Sequence, residues 1–110
     1  MRLAFEKASQ NIGSTNENPS VGCVIVKDGA VISSAVTSIK GRPHAEVKAL
    51  KKSQNLQGST MYVTLEPCMM CSGAIYLSKI SRVVYALDDK KKGYLRLSKG
   101  KTNNLSLIHI

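Results

Sequence analysis

Two short stretches of the chain carry residue types that could do chemistry together. The first is His44-Ala45-Glu46, and the second is Pro67-Cys68-Met69-Met70-Cys71. One imidazole and two thiols offer three ligands to a zinc ion, which leaves the fourth tetrahedral position open for water. Catalytic zinc sites have this open position, whereas structural sites are closed by a fourth protein ligand. The residue types therefore predict a catalytic zinc site on His44, Cys68 and Cys71.

Glu46 has the chemistry that such a metal site needs beside it. A water molecule activated by zinc must give up a proton, and a nearby carboxylate can accept it and deliver it to a leaving group. A glutamate on a helix is more often only a solvated side chain. Glu46, however, follows His44 by two residues, and a proline with two cysteines three positions apart completes the H-x-E…P-C-x-x-C signature of zinc deaminases. We therefore predict that Glu46 is the catalytic proton shuttle.

Hydrophobic periodicity and turn residues predict the elements that must position these side chains. In chain order these are a helix over residues 1–12, a β-hairpin with strands 21–26 and 30–36 joined at Asp28-Gly29, a helix opened by His44 and Glu46, a strand over 60–65, a helix over 68–78 and a strand over 80–86. The predicted apolar side of the first helix consists of Leu3, Phe5, Ala8 and Ile12. Cys68 and Cys71 lie at a helix start, so their sulfurs project from one face and the positive helix end favours thiolates.

Two other side chains could have closed the zinc site, but both are badly placed for it. Cys23 lies within the first predicted strand among valines and an isoleucine, so we interpret it as a buried apolar residue. His109 belongs to residues 105–110, which continue no earlier pattern and are interpreted as a non-native tail, to be set aside like an expression scar. We expect one domain over residues 1–104, truncated at its C-terminus, with the natural protein continuing past Asn104.

The composition limits both the class of the protein and its partners. A chain of 110 residues with 43% hydrophobic and 21% charged residues suits one globular domain and is too short for two. Three cysteines do not make a disulfide framework, and neither a secretory signal nor a membrane span is evident, so we expect the cytoplasm and no membrane partner. The net charge of +9 favours a nucleic acid or a phosphorylated small molecule. A lysine-rich surface without such a role is an equally good interpretation.

Over essentially residues 1–93 the chain resembles the cytidine deaminase superfamily of zinc hydrolases, because these motifs occur in the same order. The resemblance implies an α/β fold, a three-layer α-β-α sandwich with a central mixed β-sheet. It implies Zn²⁺ on His44, Cys68 and Cys71, with Glu46 as proton shuttle. The implied reaction is hydrolytic release of ammonia from an amino-substituted pyrimidine or purine. Relatives commonly assemble as oligomers that complete each other's active sites, so a homo-oligomer is implied as well.

Two branches of this superfamily share the resemblance. The front half resembles the deaminase domain of riboflavin-biosynthesis diaminohydroxyphosphoribosylaminopyrimidine deaminases through residues 1–4, 18–26, 41–46 and 62–68. The rear half resembles tRNA adenosine deaminases or guanine deaminases through residues 67–75 and 81–85. The chain lacks the longer Gly/Thr/Pro-rich insert that usually separates the two cysteines in the riboflavin type. It also has Thr37 where the tRNA enzymes carry an asparagine that they use on the base.

The leading hypothesis is a zinc-dependent deaminase that acts on the phosphorylated diaminopyrimidine of riboflavin biosynthesis. One alternative is a tRNA adenosine deaminase, in which the basic run from Lys90 to Lys101 would contact the phosphate backbone instead of being a solvated face, or a free-base guanine or cytosine deaminase. An alternative of another class is a noncatalytic zinc-binding subunit. The resemblance implies substrate contacts from Asn18, Thr37, Ala45, Thr64, Glu66 and Pro67. For Asn18 the alternative is an ordinary turn residue, and for Thr64 and Glu66 it is a strand end.

Overall fold

The computed structural model describes residues 1–16, 18–89 and 106–110, and of Ser106 and Leu107 only the backbone. In chain order its elements are helix α1 (Arg2–Ser9), strands β1 (Gly22–Lys27) and β2 (Ala30–Val36), a 3-10 turn (Ile39–Gly41), helix α2 (Ala45–Lys51), strand β3 (Thr60–Leu65), helix α3 (Met69–Leu77), and strands β4 (Arg82–Leu87) and β5 (Ser106–His109). Every helix and strand predicted from the sequence is present. The largest difference in bounds is at the end of the first helix, which was predicted to reach residue 12 and ends at Ser9.

The predicted hairpin of β1 and β2 turns at Asp28 and Gly29. Both residues have positive φ, 52° and 79°, which a two-residue type I′ turn requires. Glycine adopts this conformation without a steric penalty, and aspartate is among the few other residues that tolerate it. The turn pairs Lys27 with Ala30, and a register shift between Val26 and Ile25 then places Cys23 opposite Ala35.

The strands form one mixed sheet in the order β2-β1-β3-β4-β5. β1 is antiparallel to both of its neighbours, whereas β3, β4 and β5 run parallel to one another. Parallel neighbours need a crossover connection, which α3 supplies between β3 and β4. The predicted α/β class with a central mixed sheet is therefore confirmed.

Helices cover both faces of this sheet. Successive side chains of a strand point to opposite faces, and β1 shows the consequence directly. Cys23 and Ile25 are fully buried in one core cluster with Ala49 of α2 and Ile75 of α3. Gly22, one position earlier on β1, lies instead against the backbone of α1. The predicted three-layer sandwich is confirmed, with α1 on one face and α2 and α3 on the other.

The predicted apolar side of the first helix is wrong at three of its four residues and right only at Ala8. Leu3, Phe5 and Ile12 are 39%, 44% and 72% exposed, and the buried residues of the helix are Ala4 and Ala8. The cause is the missing side chain of Gly22, which lets the helix backbone lie directly on β1. At so short a distance only alanine side chains fit between the helix and the sheet, and the larger apolar side chains are turned away from it.

The last strand uses residues that the sequence analysis left outside the fold. Ser106–His109 pair in parallel with β4, and the ring of His109 stacks on Tyr85 with centroids 5.0 Å apart. The physical reason is that the edge of β4 presents backbone N–H and C=O groups, to which a segment with apolar Leu107 and Ile108 can add as a strand. That residues 105–110 are a non-native tail stays a prediction, as does the extent of the domain.

Two further expectations concern the surface. None of the helices in the described ranges is long and apolar enough to span a membrane. The basic run from Lys90 to Lys101 lies outside the described residues, so its interpretation as a solvated face stays a prediction.

The contact between Gly22 and α1 can be tested by Gly22→Ala. A Cβ at this position would lie 1.7 Å from the carbonyl oxygen of Ala4, so the helix must shift. We expect the free energy of unfolding, measured by urea denaturation, to fall by about 1–3 kcal/mol. The control is Gly73→Ala in α3, where a Cβ meets nothing within 4 Å and should stabilise the helix by about 0.5–1 kcal/mol. Equal stability of Gly22→Ala and the wild type would contradict the close packing.

Candidate metal centre and active site

The candidate site lies at one edge of the sheet. Strands β2, β3 and β4 end at this edge and β1 begins there, because β1 is antiparallel to its neighbours and β3 is parallel to β4. The residues next to these strand ends are Val21 before β1, Thr37 after β2, Glu66 after β3 and, two residues beyond β4, Asp89. Segments that are distant in sequence therefore meet at one place.

The helices α2 and α3 both start at this edge, and their first residues carry the predicted metal ligands. His44 is the N-cap residue of α2 and Cys68 is the N-cap residue of α3, both with extended backbone. Neither side chain makes a capping hydrogen bond, so the imidazole and the thiol are not occupied by the backbone N–H groups at the helix starts. Glu46 and Cys71 follow on the first turns of α2 and α3. The sequence prediction of two helix starts carrying the site is confirmed.

The three predicted ligands converge at distances that suit zinc. His44 Nδ1 lies 3.8 Å from Cys68 Sγ and 3.5 Å from Cys71 Sγ, and the three ligand atoms lie within 4.8 Å of one another. Zinc–nitrogen and zinc–sulfur bonds of ordinary length at tetrahedral angles separate nitrogen and sulfur by about 3.6 Å. The side chains therefore fit a zinc ion with three protein ligands, and no other such cluster occurs in the part of the chain that the structure describes.

The two thiols of this cluster are coupled to each other. The pKa of Cys68 is lowered to about 5, chiefly because Cys71 hydrogen bonds to its sulfur, and the neighbouring His44 adds to the effect. The pKa of Cys71 is raised by the same contact and by burial. Cys68 thus has thiolate character, and the thiolate is the form that binds metal. Binding of zinc would remove the remaining thiol proton.

Glu46 is buried beside these ligands, with only 4% of the residue exposed. Burial raises the pKa of its carboxyl group, while its backbone hydrogen bond and the neighbouring His44 act in the opposite direction. A carboxyl group is expensive to bury, and a structural zinc site has no use for one. A buried carboxyl with a raised pKa next to metal ligands is typical of a group that transfers protons.

Cys23 and His109 lie away from the metal ligands, as predicted. Cys23 is fully buried in the core, where desolvation raises the pKa of its thiol well above the usual value. Nε2 of His109 lies 3.2 Å from the carbonyl oxygen of Ala86. Neither belongs to the cluster of His44 and the two cysteines.

A cavity is lined by two of the predicted metal ligands, His44 and Cys68, and its wall contains three of the six predicted substrate residues, Asn18, Thr37 and Glu66. The side-chain amide of Asn18 donates to the carbonyl of Gly41, at 3.0 Å, and so braces the loop before His44. The hydroxyl of Thr37 accepts a hydrogen bond from the backbone N–H of Val21, at 2.8 Å. These two side chains therefore shape the cavity through the backbone.

The other three predicted substrate residues are not part of the cavity wall. Ala45, the first residue of α2, is fully buried. The hydroxyl of Thr64 accepts a hydrogen bond from the backbone N–H of Gly22, at 3.2 Å, and so ties β3 to β1. Pro67 is fully buried between Glu66 and Cys68. Their role as substrate contacts stays a prediction that this geometry does not favour.

Four residues of the cavity wall were missed by the sequence analysis, namely Pro19, Val21, Leu65 and Asp89. The first three are apolar and carry no chemical signal in the sequence. Asp89 could have been found, because it follows β4, and the residues after neighbouring parallel strands meet at the same edge of the sheet.

Comparison with known proteins agrees with this geometry. Residues 1–87 match the family model described as the cytidine and deoxycytidylate deaminase zinc-binding region. The riboflavin biosynthesis protein RibD of Aquifex aeolicus is 43% identical over 96 residues, which cover 81% of this chain and 27% of that protein. The tRNA-specific adenosine deaminase of the same organism is 43% identical over 83 residues, covering 66% of this chain and 55% of that protein.

A solved structure gives the same result for the fold. The diaminohydroxyphosphoribosylaminopyrimidine deaminase/reductase of Thermotoga maritima superposes with a TM-score of 0.85 at 33% identity, covering 99% of this chain and 34% of that one. The chain spans 22% to 27% of the length of the curated riboflavin-biosynthesis relatives.

The metal centre can be tested by Cys71→Ala. Loss of one of three protein ligands should weaken zinc binding by at least about a hundredfold, measured by metal analysis and by competition with a chelator. Cys23→Ala is the matched control, because it removes a buried thiol that lies outside the cluster. Equal zinc content in the two variants would show that Cys71 is not a ligand.

Proposed function

Because the chain belongs to the cytidine and deoxycytidylate deaminase family of zinc-dependent enzymes, we propose that it is a hydrolytic deaminase of the phosphorylated diaminopyrimidine of riboflavin biosynthesis. The observation that carries the deaminase chemistry is the buried Glu46, which lies beside the cluster of His44, Cys68 and Cys71 and lines one cavity together with His44 and Cys68. The observation that favours this substrate is the 40% to 43% identity to four riboflavin-biosynthesis proteins.

The proposed reaction replaces an amino group on the ring by an oxygen from water. Zinc, when bound, supplies an activated water molecule at neutral pH. Glu46 accepts a proton from the attacking water and returns it to the departing amino group, which leaves as ammonia. The raised pKa of Glu46 suits this double role. A carboxylate with a raised pKa is a stronger base toward water, and its protonated form can still donate the proton to the amino group.

The phosphate of the proposed substrate needs cations close to the cavity. No lysine or arginine is among the described residues of the cavity wall. Lys40 and Arg42 are exposed on the loop just before His44, and the side-chain amides of Asn16 and Asn18 donate to this loop at the carbonyls of Lys40 and Gly41. A braced loop with two cations next to the cavity is a suitable place for a phosphate group.

A tRNA adenosine deaminase is the second candidate. The 43% identity to the Aquifex aeolicus tRNA-specific adenosine deaminase and the short Cys68-x-x-Cys71 spacing favour it. The third candidate, a noncatalytic zinc-binding subunit, has no use for the buried carboxyl group of Glu46, which would be a net cost to folding.

Self-association is part of the proposal as well. Helix α3 contains no charged residue, and Met69, Met70, Tyr76 and Leu77 are 66%, 62%, 48% and 79% exposed on it. On a chain with a net charge of +9, this is a face that two copies can join without bringing like charges together.

Replacement of the proton shuttle tests the reaction class. Glu46→Gln should keep the fold and the zinc ion while ammonia release falls by about 10² to 10⁴-fold, because the amide cannot take a proton from water. Glu6→Gln on the exposed face of α1 is the control and should release ammonia at the wild-type rate. Unchanged activity in Glu46→Gln would remove this residue from the mechanism.

The substrate branch can be tested by ammonia release from a panel of compounds. The panel contains the phosphorylated diaminopyrimidine, the same compound without phosphate, adenosine in a tRNA anticodon loop, guanine and cytosine. We expect the highest kcat/KM for the phosphorylated diaminopyrimidine. Faster deamination of tRNA, with RNA affinity that falls steeply as salt rises, would instead support the second candidate.

A further inference from the structure

The free edge of the sheet carries two lysines at the place where a further strand would have to bind. We propose that Lys48 and Lys52 close this edge to the β2 strand of a second copy of the chain, by occupying the backbone carbonyls that the second strand would use. The proposed deaminase function plays no part in this inference. The edge is also distinct from the exposed side of α3, because α3 connects β3 and β4 whereas β2 is the outermost strand.

Strand β2 has one side without a neighbouring strand, since the order of the sheet is β2-β1-β3-β4-β5. The backbone N–H of Thr37, directly after β2, donates to the carbonyl of Val21, at 2.9 Å, so Thr37 faces β1. In an antiparallel pair, residues that bond to the neighbouring strand alternate with residues that point away from it. Val36 and Ser34, one and three residues before Thr37, therefore direct their N–H and C=O groups to the free edge.

Both of these outward carbonyls are bound by lysines of α2. Nζ of Lys48 donates to the carbonyl of Val36, at 2.8 Å. Nζ of Lys52 donates to the carbonyl of Ser34, also at 2.8 Å. Four residues of helix advance by about 6 Å and two residues of strand by about 7 Å, so the two spacings match and both contacts form together. The helix thus presents a charged donor to each outward carbonyl in this half of β2.

Without these lysines, β2 would be well suited to pair with another copy of itself. The strand is seven residues long and contains no charged side chain. It includes β-branched Val31, Ile32 and Val36, and Val31 is 53% exposed. Long apolar edge strands of this kind pair with other chains, and lysines at the edge are one of the means by which proteins prevent such pairing.

An added strand would have to displace both lysines from the carbonyls. Each ammonium group would lose a hydrogen bond, and two copies paired through β2 would bring their lysines close together. The acidic residue of α2 is the buried Glu46, and β2 has no acidic residue, so these two elements offer no exposed carboxylate to offset the repulsion. The charges therefore oppose pairing at the edge itself, in addition to the effect of the net charge of +9.

The test compares two double variants that lose the same two charges. Lys48→Met/Lys52→Met, the edge variant, removes both donors and keeps side chains of similar length. Lys51→Met/Lys79→Met is the control, because both lysines are exposed and lie outside the contacts to β2. We expect the association constant of the edge variant, measured by analytical ultracentrifugation, to exceed that of the wild type and of the control by about tenfold or more. The reason is that two hydrogen bonds from charged donors no longer compete with the added strand.

Hydrogen exchange identifies the surface through which the edge variant associates. The amides of Ser34 and Val36 face the free edge, so an added strand should slow their exchange by about tenfold or more when the protein is concentrated. Slower exchange confined to α3 would place the contact on that helix and would overturn the inference. Lys48→Arg/Lys52→Arg keeps two charged donors at the edge and should associate like the wild type.

Equal association of the edge variant and the control would also overturn the inference, because a general loss of charge, or no effect at all, would then describe both. A thermal melt shows whether each variant is folded. If Lys48→Met/Lys52→Met does not fold, Lys52→Met is compared with Lys51→Met instead, since both of these lysines are exposed. Each of these results leaves the proposed deaminase function unchanged, because that function is tested by ammonia release.

Discussion

The convergence of one imidazole and two thiols within 4.8 Å is the arrangement on which the rest of the site depends. It requires α2 and α3 to begin at the same place above the sheet, with His44 and Cys68 as their N-cap residues. The parallel pairing of β3 with β4 provides this, because α3 must start where β3 ends and cross back over the same face as α2. Positive helix ends at this point favour the thiolate form of the cysteines.

The sequence was sufficient to predict those features that depend on residues close together in the chain. The spacing of His44 and Glu46 and of the two cysteines is a property of single helical turns, and both pairs lie where it placed them. The hairpin at Asp28-Gly29 and the strand over 60–65 were predicted for the same reason, since turn residues and β-branched runs act on their own neighbourhood. The fold class was implied by the family resemblance.

Long-range contacts explain what the sequence did not predict. The exposed side of α1 depends on Gly22, which follows the helix by more than ten residues and becomes its neighbour only in the folded chain. Thr37 and Thr64 have hydroxyl groups that could have bound a ligand, and both are engaged by backbone N–H groups of the segment that leads into β1. The hydrogen bond from the backbone N–H of Asp89 to the carboxylate of Glu66 joins the ends of two strands, and no local sequence pattern near either residue predicts it.

The residues around the cavity belong to two kinds of structural element, and this difference affects how substrate specificity can change. The groups that handle the metal and the proton are held on the first turns of two packed helices, whereas the wall that faces the rest of the ligand is built from segments that leave the strands, as at Asn18, Thr37 and Asp89. Segments of this kind accept insertions and substitutions more easily than packed helices do. A new specificity could therefore evolve or be engineered at the strand ends while the residues that hold the metal and the buried carboxyl group stay unchanged.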